Sequence, residues 1–148
     1  MIEMWCDGAC EPVNPGGYAA YGLLIKKDGK ELVKEGVFIG NGAGISNNVA
    51  EYRGFIRGLE FLISKNLVKE NIVVRSDSKL IIMQMLGCWK IHSGDYVPYA
   101  IEAKKLMDKF IDIDLRWIPR EENDVCDALG KEKLMELGVQ FKIQPEKK

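Results

Sequence analysis

The sequence predicts one α/β domain built on a mixed sheet, and three observations carry that expectation. Asp28-Gly29, a strong hairpin signal, sits between two apolar runs near the start. Further along, short buried strands alternate with amphipathic helices, the pattern of βα units with parallel pairing. The length, 148 residues, suits one hydrophobic core and not two. The order of elements reads β-β-β-α-β-α-α-β-α. It implies a five-stranded sheet, three antiparallel strands followed by parallel βα units, with helices on both faces.

Met1–Asp7 is an apolar run closed by Asp7-Gly8, a strand and its turn. The stretch "GACEPVNPGG" that follows is a loop by its prolines and glycines. Tyr18–Lys27 and Glu31–Ile39 are the hairpin strands. From Val49 to Ser64 apolar residues recur at Val49, Tyr52, Phe55, Ile56, Leu59, Leu62 and Ile63, close to the helical period. Asn71–Arg75 is a short strand of the kind buried in a parallel sheet. Ser76-Asp77-Ser78 then opens a helix from Lys79 to Leu86, and Tyr99–Phe110 is another. Ile113–Ile118 is a strand stopped by Pro119. The last helix runs from Asn123 to Leu137, before Gly138. "VQFKIQ" is a candidate short strand. The domain is expected over 1–143, with 144–148 as a disordered tail.

Bulk properties exclude several classes. Lysine and arginine total 21 against 22 acids, a net charge of −1, so no uniformly basic surface exists to coat nucleic acid. No run of about 18 apolar residues is present. The start lacks a basic region followed by an apolar stretch, and the expectation is a cytoplasmic protein. Cys6, Cys10, Cys88 and Cys126 then read as reduced, buried thiols. Their spacing, without a nearby histidine, argues against structural zinc.

Four carboxylates fall at telling places: Asp7 and Asp77 at strand ends, Glu51 and Asp127 in the early turns of the two long helices. Each has an ordinary explanation. Asn48-x-x-Glu51 fits a capping box, Asp7 an Asp-Gly turn, and Asp77 a helix cap. Asp127 suits the positive end of a helix, although it is expected just past the first turn. Taken together they suggest more, because strand ends and helix starts converge at one edge of such a sheet. Four acids gathered there would need a counter-ion, and oxygen ligands without histidine favour Mg²⁺ or Mn²⁺ over zinc.

On these residues the chain resembles the type 1 ribonuclease H family. The family's opening motif stands here as "CDGACEPVNPGG", its first-helix motif as "SNNVAEY", its Asp-Ser motif as "RSDSKL" and its last motif as "WIPREENDVCDALGKE". The match is collinear from Asp7 to Lys131. The resemblance implies a ribonuclease H-like fold and cleavage of the RNA strand of RNA/DNA hybrids, leaving 5′-phosphate and 3′-hydroxyl ends. It implies two Mg²⁺ ions, replaceable by Mn²⁺, held by the catalytic acids Asp7, Glu51, Asp77 and Asp127. In this reading Asp7 is shared between the ions, Glu51 and Asp77 complete one position, and Asp127 completes the other. It also implies that Asn47 and Asn48 reach the minor groove, Ser46 a DNA phosphate, and Asn14, Gly16 and Gly17 the RNA strand. Lys79 stands where the family often has a polar residue near substrate; otherwise it is a solvated helix position.

Two departures from the family pattern matter. Many bacterial members carry a histidine before the last helix. Here the one histidine, His92, lies elsewhere, and Arg120 in "PREEN" is the candidate substitute, paired otherwise with Glu121 or Glu122. Many members also grip the hybrid with a basic helix and loop, of which only "GCWKIHSGDYVP" remains. Trp89 in it is expected in the core, with Lys90 as a weak contact. Beyond the hybrid, no membrane and no obligate protein partner is expected, and the protein should be a monomer.

Overall fold

Alternation decides the faces of the sheet. Ile2, Met4 and Cys6 on one strand, and Tyr21, Leu23 and Ile25 on its neighbour, point to one side into the main core, while Ala20 points to the other. The computed structural model describes residues 1–141. Its strands are β1 (Ile2–Glu11), β2 (Tyr18–Lys27), β3 (Lys30–Asn41), β4 (Asn71–Ser76) and β5 (Asp112–Trp117). Its helices are α1 (Asn47–Ser64), α2 (Lys79–Met85), α3 (Val97–Met107) and α4 (Asp124–Glu136), the last preceded by a 3₁₀ turn at Arg120–Asn123.

The strands lie in the order β3-β2-β1-β4-β5. β1 pairs antiparallel with β2, and β2 with β3, whereas β1–β4 and β4–β5 are parallel. This is the mixed topology expected from the element order. On one face α1 packs against β1, β2 and α3, and residues of α1, α2 and α3 complete the main core. On the other face α4 packs against β1, β2 and β3, with Leu134 and Phe141 against Ala20.

Glycines set how closely the helices approach. A β-carbon on Gly22 would collide with the Cys126 carbonyl, and one on Gly36 with the Leu129 carbonyl, so the α4 backbone lies directly on the sheet. Gly58 of α1 leaves room for the Met4 thioether in the same way.

Several boundaries differ from expectation. β1 continues to Glu11, because β2 pairs along its whole length, so Asp7 lies within the strand and not at its end. The parallel partner β4 stops at the Trp5–Arg75 pair, and Asp7 is therefore past the end of that edge alone. α3 starts two residues early at Val97, with proline in its first turn, where the missing N–H costs nothing. Val139–Phe141 forms no strand, and the rest of the candidate strand, with the 144–148 tail, lies outside the described residues. The cysteines are free thiols, but Cys88 is exposed and Cys10 only half-buried. Trp89 is 46% exposed and not in the core.

Replacing Gly22 by alanine must push α4 off the sheet, since a backbone carbonyl cannot rotate away. The expected loss is at least about 2 kcal/mol in urea unfolding, and an unchanged midpoint would contradict the close packing of α4.

Candidate active site

The first acid is placed by strand geometry. Asp7 pairs with Gly22 across β1–β2, and the Cys126 carbonyl sits on that same glycine. The start of α4 is thereby brought beside Asp7, with Asp127 the next residue along. Gly8 does the same for α1: a β-carbon there would lie 2.7 Å from the Glu51 nitrogen. Only glycine lets the helix carrying Glu51 come so near the strand carrying Asp7.

Local hydrogen bonding removes the ordinary explanations for two acids. Ser46 is the cap of α1, its Oγ accepting from the Val49 N–H at 3.1 Å. Asn14 Oδ1 accepts the next free donor, the Asn47 N–H, at 2.9 Å. The helix thus starts before Asn48, and Glu51 is not a capping residue. Its carboxylate is buried, with Asn47 Nδ2 at 3.4 Å from Oε1, and Oε2 has no hydrogen-bond partner within ordinary geometry. Ser78, not Asp77, caps α2 through the Ile81 N–H at 3.3 Å. Asp127 falls inside the first turn of α4, because the 3₁₀ turn delays the helix start to Asp124.

Asn123 lies in the last motif but was assigned no role by sequence reasoning. Its buried amide donates to the Cys6 carbonyl at 2.9 Å and to Asp77 Oδ1 at 2.7 Å. One neutral side chain therefore ties together the segments bearing Asp7, Asp77 and Asp127. Trp117 Nε1 adds a bond to the Asp77 carbonyl at 3.1 Å. Lys131 was also missed. It lies one turn beyond Asp127, with Nζ 3.1 Å from Asp127 Oδ2. The only signal for it was the i, i+4 spacing, which is commonplace on helix surfaces.

Asp7, Glu51, Asp77 and Asp127 line one cavity of about 210 Å³, together with Arg120, Lys131, Asn14, Asn47 and Cys10. Arg120 Nη2 lies 3.9 Å from Asp127 Oδ1, so its nearest acid is Asp127 and not Glu121 or Glu122. The other expected contacts stand outside this lining. Ser46 is occupied as the cap, and Asn48 is exposed nearby. Gly16 and Gly17 fix the loop by donating to the Ile45 and Val13 carbonyls. Lys79 is exposed, its Nζ 5.0 Å above the Trp117 ring.

The electrostatics are those of a cluster short of positive charge. Burial, then the charges of Asp77 and Asp127, push the Asp7 carboxyl up to about 8. Burial, then Asp7 and Asp77, push Glu51 up as well, and the Gly8 N–H offsets only part of this. No three Asp, Glu, His or Cys side chains among the described residues are already arranged around one ion position. Even so, the orphaned Glu51 oxygen, the strained ionisation of Asp7 and the all-oxygen acid set fit hard divalent cations.

Fold and site together are those of the ribonuclease H-like class, with acids from β1, α1, the end of β4 and α4 meeting at one sheet edge. A family described as reverse transcriptase-like matches residues 6–133. The ribonuclease HI of Halobacterium salinarum is 32% identical over 133 residues, 90% of this chain and 64% of that protein. The crystal structure of RNase H1 from that organism superposes with a TM-score of 0.79 at 30% identity, over 91% of this chain and 98% of that one. LC11-RNase H1, solved in complex with an RNA/DNA hybrid, gives 0.82 at 30% identity, over 93% and 99%. The chain belongs to the type 1 ribonuclease H family. It spans about a third of a bifunctional Mycobacterium tuberculosis protein to which it is 33% identical, and under two thirds of the haloarchaeal one.

A pH dependence follows from Asp7 and Glu51. A carboxyl whose folded-state value is raised binds its proton more tightly folded than unfolded, so stability falls as pH rises from about 4 towards the folded value of about 8. In EDTA the melting temperature should drop by about 3 °C or more between pH 5.5 and 7.5. Magnesium should reverse most of the drop, and Asp7→Asn should flatten the profile. A flat profile in the unaltered protein would show that the acids are not crowded.

Proposed function

We propose that this chain hydrolyses the RNA strand of RNA/DNA hybrids, using two divalent ions, Mg²⁺ or Mn²⁺, and leaving 5′-phosphate and 3′-hydroxyl ends. One observation carries the reading: carboxylates from four separate segments share one cavity, and a buried Glu51 oxygen there has no partner. Family membership and the hybrid bound to the related LC11 enzyme support it.

Asp7, Glu51, Asp77 and Asp127 would hold the ions, Asp7 serving both, Glu51 and Asp77 one of them and Asp127 the other. Ions so held would supply an activated water for in-line attack and stabilisation of the departing 3′-oxygen. The protein supplies orientation. Asn123 fixes the Asp77 carboxylate without adding charge. Arg120, at the mouth of the cavity and permanently protonated, can donate to a phosphate but cannot act as a base.

Recognition draws on donors that the fold leaves free. Asn14 uses its carbonyl oxygen on the Asn47 N–H, so its amide NH₂ remains to face RNA. The Ser46 oxygen accepts from Val49, so its O–H remains to donate to a DNA phosphate near the start of α1. Asn47 and Asn48 are offered to the minor groove and its 2′-hydroxyls, the group that separates RNA from DNA. Gly16 and Gly17 hold the Asn14 loop in place. Lys79, beside Trp117, is a peripheral phosphate contact.

Labelled hybrid, double-stranded RNA and DNA duplex, each with and without Mg²⁺, test the proposal. Only the hybrid should be cut efficiently, only with the ion, and the 5′ ends should be sensitive to phosphatase. Asp77→Asn should lower the rate constant about 100-fold or more. Hybrid binding without ion-dependent cutting would make the protein a binding module instead.

A further inference from the structure

Positive charge is shared unevenly among the four acids. Asp127 faces a cation on each oxygen, Lys131 Nζ at 3.1 Å from Oδ2 and Arg120 Nη2 at 3.9 Å from Oδ1. Among the described residues no ion pair reaches Asp7, Glu51 or Asp77. Apart from contacts among the acids themselves, Asp7 with Asp127 and with Glu51, their partners are neutral: the Gly8 N–H, Asn47 and Asn123.

The two cations are not equivalent. The Arg120 side chain is 72% exposed and its contact long, so water screens it. Lys131 is 29% exposed against 24% for Asp127, and both border the cavity. The acid also lies N-terminal to the lysine at i, i+4, the favourable orientation on a helix. An Asp127 oxygen held by the ammonium cannot at the same time give that direction to a metal ion, and the two cations would repel.

We propose that Lys131 is a built-in counter-ion for Asp127 that a divalent ion must displace. The two ion positions then fill unequally, the Asp7–Glu51–Asp77 side first and the Asp127 side second. This rests on the metal-binding reading above and adds the cause of the inequality. It also gives the lysine a purpose in the metal-free protein, where it offsets repulsion that no other half-buried cation among the described residues relieves.

The test uses Lys131→Met, which keeps the aliphatic stem without the charge, and Lys131→Arg, which keeps the charge. Lys133→Met is the control, since its ammonium pairs with Glu136 at 3.6 Å and does not border the cavity. Calorimetric Mg²⁺ titration of the substrate-free protein should show a tight and a weak step. Lys131→Met should tighten the weak step about three- to tenfold, or make it visible where it was too weak to detect. Lys131→Arg and Lys133→Met should leave it unchanged. Lys131→Met should also melt below the unaltered protein in EDTA, with the deficit closing in saturating Mg²⁺.

Equal melting deficits with and without Mg²⁺ would reduce Lys131 to packing and overturn the proposal. So would a raised KM for hybrid with both ion affinities unchanged, which would place the lysine on substrate. Absence of Mg²⁺ binding in every variant would overturn the metal-binding reading itself, a result distinct from two steps that Lys131→Met does not alter.

Discussion

Negative charges in a half-buried cavity repel, and the devices around this one hold them together despite it. Like charges about 4 Å apart cost several kcal/mol where water is scarce. Asp7 and Glu51 hold their protons well above the ordinary carboxylate range, first because they are buried and then because of the neighbouring acids. The scaffold must therefore be stiffer than the repulsion is strong. Much of the stiffness comes from backbone laid against backbone, at Gly8 under α1 and at Gly22 and Gly36 under α4. Flexible side chains at those interfaces would let the helices drift apart.

The sheet contributes a second constraint. β1 is paired with β2 over its whole length, but with β4 only as far as Trp5. Asp7 therefore stands on a strand that is rigid along one edge and open along the other. The gap left by the shorter β4 is where Asp77 turns away, and where Asn123 reaches across to the Cys6 carbonyl. A neutral amide suits that place, because another acid there would add to the repulsion. Its two donors satisfy a buried carbonyl and a carboxylate at once.

Much of this was legible in the sequence, and the misses have physical causes. Helix α1 announced itself by the period of Tyr52, Phe55, Leu59 and Leu62, and the hairpin by Asp28-Gly29. The mixed sheet, antiparallel strands and then parallel βα units, followed from short buried runs alternating with helices. Asp7 was placed at a strand end because Asp-Gly resembles a turn, but pairing across a sheet is non-local and a long partner strand overrides the turn preference. The cap of α1 was set too late because Asn48-x-x-Glu51 has the right spacing, whereas Ser46 and the distant Asn14 supply the actual acceptors. Asn123 stood in the last motif at the helix start but was given no role, and Lys131 carried no distinctive local pattern. Their importance lies in contacts that only the folded chain makes.

Trp89 shows how a local reading can fail for a reason that bears on substrate. Gln84, fully buried, accepts from the Tyr52 hydroxyl at 2.6 Å and offers its amide to the Lys90 carbonyl and the Tyr96 hydroxyl. The Tyr52 and Tyr96 rings stack with centroids 5.9 Å apart. The loop between α2 and α3 is thus anchored through its backbone and Tyr96, and it does not need the indole as a plug. Trp89 is free to stay outside, beside Lys90, on a loop fixed to the helix that carries Glu51. Stacking on a base contributes about 1–3 kcal/mol by itself, and one lysine adds only one phosphate contact's worth of salt-dependent attraction. With a net charge of −1, the molecule has no general field to draw nucleic acid in. On the proposed function, affinity for a polyanion would come from a few fixed groups set at the right distance from the acids, and the rigidity of this short loop would count for more than its charge.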